Sequence, residues 1–221
     1  GIHFRRFRMQ SKVILVTSGL LILIPAVIFF FGDFAGEPLK ERICLSIFQA
    51  VTPRTAGFNT ADFNLMSGAG RTIIIFLMFI GGSPGSTAGG MKTTTLAVLF
   101  GNVAAVFRKR KNVELFGRRI DDTAVKNASA LLIIYLVLAV CGAAVISAIE
   151  HLPVYTCLFE TASAVGTVGL TLGITPQLHT VSRLILIFMM FFGRVGGLTI
   201  IYSLASGKNP GPAQTGNDPS D

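Results

Sequence analysis

Two short glycine-centred stretches carry residues that could handle a cation. Thr55-Ala56-Gly57-Phe58-Asn59 follows a brief apolar run and precedes a longer one, and Thr167-Val168-Gly169-Leu170-Thr171 repeats the arrangement 112 residues on. A desolvated alkali ion needs several oxygens aimed at one point, and main-chain carbonyls supply them without a charged side chain. Glycine at the centre permits positive φ, and a threonine hydroxyl can add one more oxygen. A single stretch of this kind reads better as an ordinary loop turn. The same 112-residue offset, however, aligns Arg71-Thr-Ile-Ile-Ile-Phe-Leu-Met-Phe-Ile-Gly81 with Arg183-Leu-Ile-Leu-Ile-Phe-Met-Met-Phe-Phe-Gly193, with seven of eleven positions identical. Two copies of one unit are therefore expected, each reading helix, half-helix, glycine turn, helix.

Membrane-length elements must position these turns. The chain is 51% apolar and 14% charged with mean hydropathy +0.66, outside the range of soluble domains. Val13–Phe31, Ala124–Ile149 and Val181–Tyr202 read as full spans, whereas Ile43–Val51 and Val154–Val165 are half-length and must enter and return. Non-helical backbone at membrane depth persists only where protein buries it or water reaches it, which makes a repeated re-entrant turn a pore signal. The fold class expected is all-α and integral to the membrane. Residues 1–12 form a basic cytoplasmic segment, 13–107 one pore unit, 108–123 a basic cytoplasmic loop and 124–206 a second unit. Residues 207–221 form a disordered tail.

The net charge of +8 sits in clusters between apolar spans with no Trp and little Tyr interleaved, which argues against nucleic acid. By the positive-inside rule, the clusters at Arg5–Lys12 and Arg108–Arg119 place both loops and both termini in the cytoplasm and the rest in a lipid bilayer. Cys44, Cys141 and Cys157 are scattered through apolar segments, so they read as packing residues. Asn127-Ala128-Ser129 matches a glycosylation acceptor by chance, since it falls on the cytoplasmic side.

Gly81-Gly82-Ser83-Pro84-Gly85-Ser86-Thr87-Ala88-Gly89-Gly90 interrupts what should be one long inner helix. Five glycines and a proline in ten residues cannot continue a helix. Either this is a cytoplasmic loop or it is unwound backbone beneath the glycine turn. The second is preferred, because Thr72–Ile80 is too short to reach the cytoplasm alone. Gly82 aligns with Arg194, a charge deep in the last span, where a guanidinium usually faces water or a partner. Arg194 together with the interruption is expected to form a barrier below the turns; the alternative is an arginine satisfied by neighbouring carbonyls. Arg54 and Glu160, near the ends of the two half-helices, are candidates to pair across the units.

Gly85–Thr93 approaches a phosphate-binding loop but places Met91 between the second glycine and Lys92, and no soluble domain accompanies it, so nucleotide hydrolysis is not expected. Three histidines without paired spacing offer no metal site, and no covalent cofactor is expected.

The two glycine turns, GGSPGSTAGGMKTTT and FFGRVGGLT together resemble the Trk/Ktr/HKT superfamily of potassium transporters, closest to its Ktr-type membrane subunit, sometimes labelled a sodium-ATPase subunit J. The resemblance covers the chain to about Ser206 and matches the third and fourth of the family's four units. It implies K⁺ uptake through backbone carbonyls of Thr55, Ala56, Gly57, Phe58, Thr167, Val168, Gly169 and Leu170. Gly82, Ser83, Pro84, Gly85, Ser86, Thr87, Ala88, Gly89 and Gly90 match its intramembrane gating loop, and Arg194 matches its arginine beneath the filter. The resemblance also implies a homodimer, a cytoplasmic nucleotide-binding regulatory ring, and two further units supplied by missing N-terminal repeats or another subunit. Na⁺ enters as a modulator or, in a Na⁺-selective relative, as cargo. A non-conducting membrane subunit of a larger complex is the remaining alternative.

Overall fold

A computed structural model describes residues 8–86, 88–110 and 112–196. Thr87, the end of the last span beyond 196 and the tail 207–221 lie outside these, so what the sequence implies for them is left at that. Helix α1, Met9–Phe31, is continuous through Pro25 and is long and apolar enough to cross a membrane, as is α5, Asp122–Glu150. The half-helices are α2, Leu39–Val51, and α6, Val154–Gly166. The inner helices are α3, Gly68–Met78, with its continuation α4, Thr93–Phe107, in the first unit, and α7, Thr180–Val195, in the second. A two-residue antiparallel hairpin, β1 Glu114–Leu115 with β2 Arg118–Arg119, joins the units.

The helices start earlier than hydropathy alone places them, and local chemistry explains why. Ser67 caps α3 by accepting the Gly70 N–H at 2.9 Å, and its own N–H is held by Asp33 at 2.6 Å, so the helix begins at Gly68 rather than Thr72. Pro38 and Pro153, fixed in extended backbone, precede α2 and α6 and set their first turns. The polar Lys40-Glu41 pair, which precedes the apolar run beginning at Ile43, is thereby taken into α2.

Each outer helix packs on its own half-helix, α1 on α2 and α5 on α6, and α6 is enclosed further by α7 and α3. The core gathers at this second half-helix: Cys157, Phe159, Ala162 and Val165 are fully buried, with Tyr135, Ala139 and Ile146 of α5 against them. By contrast α2 keeps Ile43, Ile47 and Val51 exposed, as α7 does Leu184, Ile187, Phe188 and Phe191. The first half-helix thus lacks the cover that α7 and α3 give the second.

Candidate functional site

Both glycine turns have the same backbone signature. Thr55 and Thr167 lie in the left-handed region at φ 69° and 54°, and Gly57 and Gly169 follow two residues later at φ 74° and 92°. A threonine there is strained by about 1–2 kcal/mol, and it recurs at equivalent positions of both units. Alternating left-handed with ordinary backbone turns successive carbonyls toward one side instead of alternating them as a strand would.

Main-chain donors do the shaping. In the first turn the N–H groups of Ala56 and Gly57 both donate to the Thr52 carbonyl, at 3.2 and 3.1 Å, while the Thr52 hydroxyl donates to the Phe58 carbonyl at 2.6 Å. In the second, Val168 N–H donates to the Ser163 carbonyl at 2.9 Å and Gly169 N–H to the Ser163 hydroxyl at 3.1 Å. Among the described residues, no hydrogen bond ends on the carbonyls of Thr55, Ala56, Gly57, Thr167, Val168 or Gly169. Of these residues Val168 is buried, Thr55, Gly57 and Thr167 are half-buried and Ala56 and Gly169 are exposed, so their oxygens are not used by the described fold and stand open to an ion or to water. The Phe58 carbonyl, also assigned to the ion by the resemblance, is instead held by Thr52.

The two turns meet. A Cβ on Gly57 would fall against the Val168 carbonyl, so the glycine is what allows the first turn to lie directly on the second. Behind the second turn stands a carboxylate that sequence reasoning placed elsewhere. Glu160, 4% exposed, accepts the Thr171 hydroxyl at 2.7 Å and the Leu172 N–H at 2.9 Å on one oxygen, and the Thr175 hydroxyl at 2.7 Å on the other. Its expected partner Arg54 points away, donating to the Ser18 hydroxyl of α1 at 3.5 Å. The cross-unit pair is therefore not made: the carboxylate is occupied by its own loop, and Arg54 leans on its own outer helix. Thr161 fixes the half-helix from the other side by donating to the Ala139 carbonyl at 3.0 Å.

The interruption lies under the second turn. Ile80 and Met91 form a parallel bridge, closed by Gly81 N–H on the Met91 carbonyl at 2.7 Å and Met91 N–H on the Phe79 carbonyl at 2.9 Å. The chain leaves α3, makes a closed excursion and re-enters at the level it left. Gly89 sits so close to Thr167 that a Cβ would strike its hydroxyl, and Gly81, Gly82 and Gly89 are packed against one another's turns. Lys92 anchors the excursion by donating to the carbonyls of Ser86 at 3.2 Å and Ala88 at 2.6 Å, and Ser86 donates to the Ser83 carbonyl at 2.7 Å. Arg194 ends the last turn of α7, exposed on this chain, and Gly193 before it packs against Val165 and Thr167. Thr167 of the second turn thus meets both Gly89 of the interruption and Gly193, the residue before Arg194. Thr52, Ser163, Glu160 and Lys92 were not singled out from sequence for these tasks; the signal available was polarity inside apolar half-helices.

With this geometry in hand, comparison with known proteins is specific. Residues 2–210 match the TrkH model, described as a cation transport protein. The chain is 40% identical over 209 residues to the potassium/sodium uptake protein NtpJ of Enterococcus hirae, covering 90% of this chain and 46% of that one. It is 36% identical to the Ktr system potassium uptake protein B of Bacillus subtilis, covering 92% and 47%. The crystal structure of the potassium transporter TrkH from Vibrio parahaemolyticus superposes with a TM-score of 0.70 at 22% identity over 91% of this chain and 44% of that one, a likeness of fold. The chain spans about half the length of the curated relatives it matches. The paired helix, turn and helix units, the helical membrane fold and the matched residues place this chain in the TrkH family of cation transport proteins.

Proposed function

We propose that this chain forms half of a potassium uptake pore, in which the carbonyls of Thr55, Ala56, Gly57, Thr167, Val168 and Gly169 replace water around a passing K⁺. The observation that carries this reading is the matching left-handed geometry of two turns brought into contact at Gly57 and Val168, whose six main-chain oxygens accept no hydrogen bond among the described residues. A ring of carbonyls needs about four such turns, so two more units complete it, from the rest of a longer chain or from another subunit. The open apolar faces of α2 and α7 support this, being the two ends of an incomplete ring. Sodium is a second cargo or modulator, a reading favoured by the potassium/sodium name of the Enterococcus hirae relative.

Gly81–Gly90, Lys92 and Arg194 form the barrier below the turns. Fixed positive charge raises the energy of a cation there, and movement of the interruption away from Thr167 lowers it. The basic termini and the 108–123 loop face the cytoplasm in a multi-pass arrangement. Two copies of the complete subunit pair, and a cytoplasmic ring with bound nucleotide sets the barrier's position. The chain acts as a transporter and not as an enzyme.

The test is rubidium uptake into liposomes holding the full-length protein. Selective uptake over Na⁺ that falls at least about tenfold on Gly57→Ser is expected. Uptake indifferent to Gly57 and Gly169 overturns the assignment of the turns, and no uptake by the complete, folded protein favours a non-conducting subunit.

A further inference from the structure

An apolar groove of 660 Å³ runs between α1 and the inner helices of the first unit, away from the glycine turns. Its walls include Leu20 and Ile24 of α1, Phe76 of α3, Phe100 of α4, and Leu115 and Phe116 of the hairpin. It adjoins a second cavity of 110 Å³ that carries Arg108, Arg110, Asn112 and Glu114, and the two share Gly101, Ala104 and Leu115 as a common wall. The first is the size of a ligand pocket, and its α1 side runs from Val13 to Ile28, roughly 22 Å of helix, enough to span one leaflet's hydrocarbon. The hairpin is what joins apolar to basic. It is seated on α4 at Gly101, where a Cβ would press on Leu115 and Val113 at 3.1 and 3.2 Å, and a tight turn at Phe116 and Gly117, φ 50° and 76°, leaves the Phe116 ring half exposed over the groove.

We infer that this pair of cavities binds one anionic phospholipid of the leaflet beside the basic loop, with an acyl chain in the groove and the phosphate on Arg108 and Arg110. Charge complementarity selects this occupant: an uncharged helix would fill the groove but leave the basic cavity unanswered. Arg110 meets Glu114 at 3.5 Å, yet both side chains are about half exposed and such a pair is weak, so a phosphate competes for the guanidinium. Phe116 lies on the hairpin that joins the apolar groove to the basic cavity. The inference rests on the proposed orientation in the membrane and not on the ion path.

The chain has no Trp, so Phe116→Trp places one reporter at the groove in the full-length protein, read as the difference from the unsubstituted parent. Val16→Trp, on the α1 wall, serves as a second reporter should the hairpin substitution disturb folding. Titration with brominated phosphatidylglycerol and brominated phosphatidylcholine of the same chains is expected to quench the reporter with about tenfold preference for the anionic lipid. Arg108→Gln with Arg110→Gln is expected to reduce that preference to under about twofold while leaving phosphatidylcholine quenching in place. Equal quenching by both lipids, or a preference that survives the double substitution, overturns the headgroup site. No quenching by either lipid at both reporters means that protein fills the groove and overturns the proposal entirely. Rubidium uptake measured on the same preparations keeps these outcomes separate from the pore reading.

Discussion

Gly57 and Gly169 occupy equivalent positions with equivalent backbone, yet their surroundings differ. A methyl at Gly57 must displace the Val168 carbonyl, which is main chain and cannot swing aside, whereas none of the described atoms lies within 4 Å of a Cβ at Gly169. Gly169→Ala carries the left-handed penalty of about 1 kcal/mol, and Gly57→Ala adds a backbone clash on top of it. The expected outcome in thermal unfolding of the full-length protein is a clearly larger drop in Tm for Gly57→Ala than for Gly169→Ala; equal drops would mean that the turns do not touch as described. Glu160 gives a second residue-scale prediction. Glu160→Ala leaves two hydroxyls and one N–H without their acceptor and is expected to lower stability by about 2–4 kcal/mol, with Glu160→Gln recovering more than half, as measured by chemical denaturation or thermal melting. Of these residues the glycines were legible from sequence, because no other residue takes their conformation freely. Glu160 was visible as a charge in an apolar half-helix, but its partner was misjudged: sequence places it near Arg54 by symmetry of the repeat, whereas the loop that captures it is its own.

At the scale of elements, the two units diverge inside their shared stretch, at the eighth of its eleven residues. In the second unit α7 continues to Val195, while in the first the helix stops at Met78 and resumes at Thr93. The glycine-rich interruption was legible as a break within one helix, since its flanking pieces are each too short to stand alone as spans. Its closure by the Ile80–Met91 bridge and its anchoring by Lys92 were not legible, because both depend on where the chain returns. Gly89→Ala should displace Thr167 and lower rubidium uptake several-fold, with little loss elsewhere, because the contact is local to the turn. Arg194→Ala is expected to raise uptake by removing one of the two repelling charges. An unchanged rate after both Arg194→Ala and a deletion within residues 84–88 would dismiss the barrier. Helix ends were the least legible feature: caps such as Ser67 extend helices beyond their apolar runs.

For the whole molecule, the architecture was readable because membrane-length hydropathy and an internal repeat are both long-range signals. What no local pattern could reveal is how unequally the two units are covered. The second half-helix is buried from Phe159 to Gly166, with Val154 exposed at its start, whereas the first faces outward along Ile43, Ile47 and Val51. A cleft of 470 Å³ between the second turn and α7, reaching from Glu160 to Ile187, is open in the same way. These surfaces predict that the 221-residue chain expressed alone gives no rubidium uptake in a transport-deficient host, and that co-expression with the complementary half of the full-length protein restores it. Uptake by the 221-residue chain alone would require pairing between its own copies.

The interruption of one inner helix where the other runs on to Val195 has a mechanical corollary. If the proposed barrier closes the pore from a single quarter of the proposed ring, it would be off-centre: it would swing like a door on one post, and the aperture it uncovered would be crescent-shaped and biased toward the hinge-free side. A blocker entering from below would therefore feel which sector it approaches, and labels placed around the rim would report unequal displacements when conduction begins.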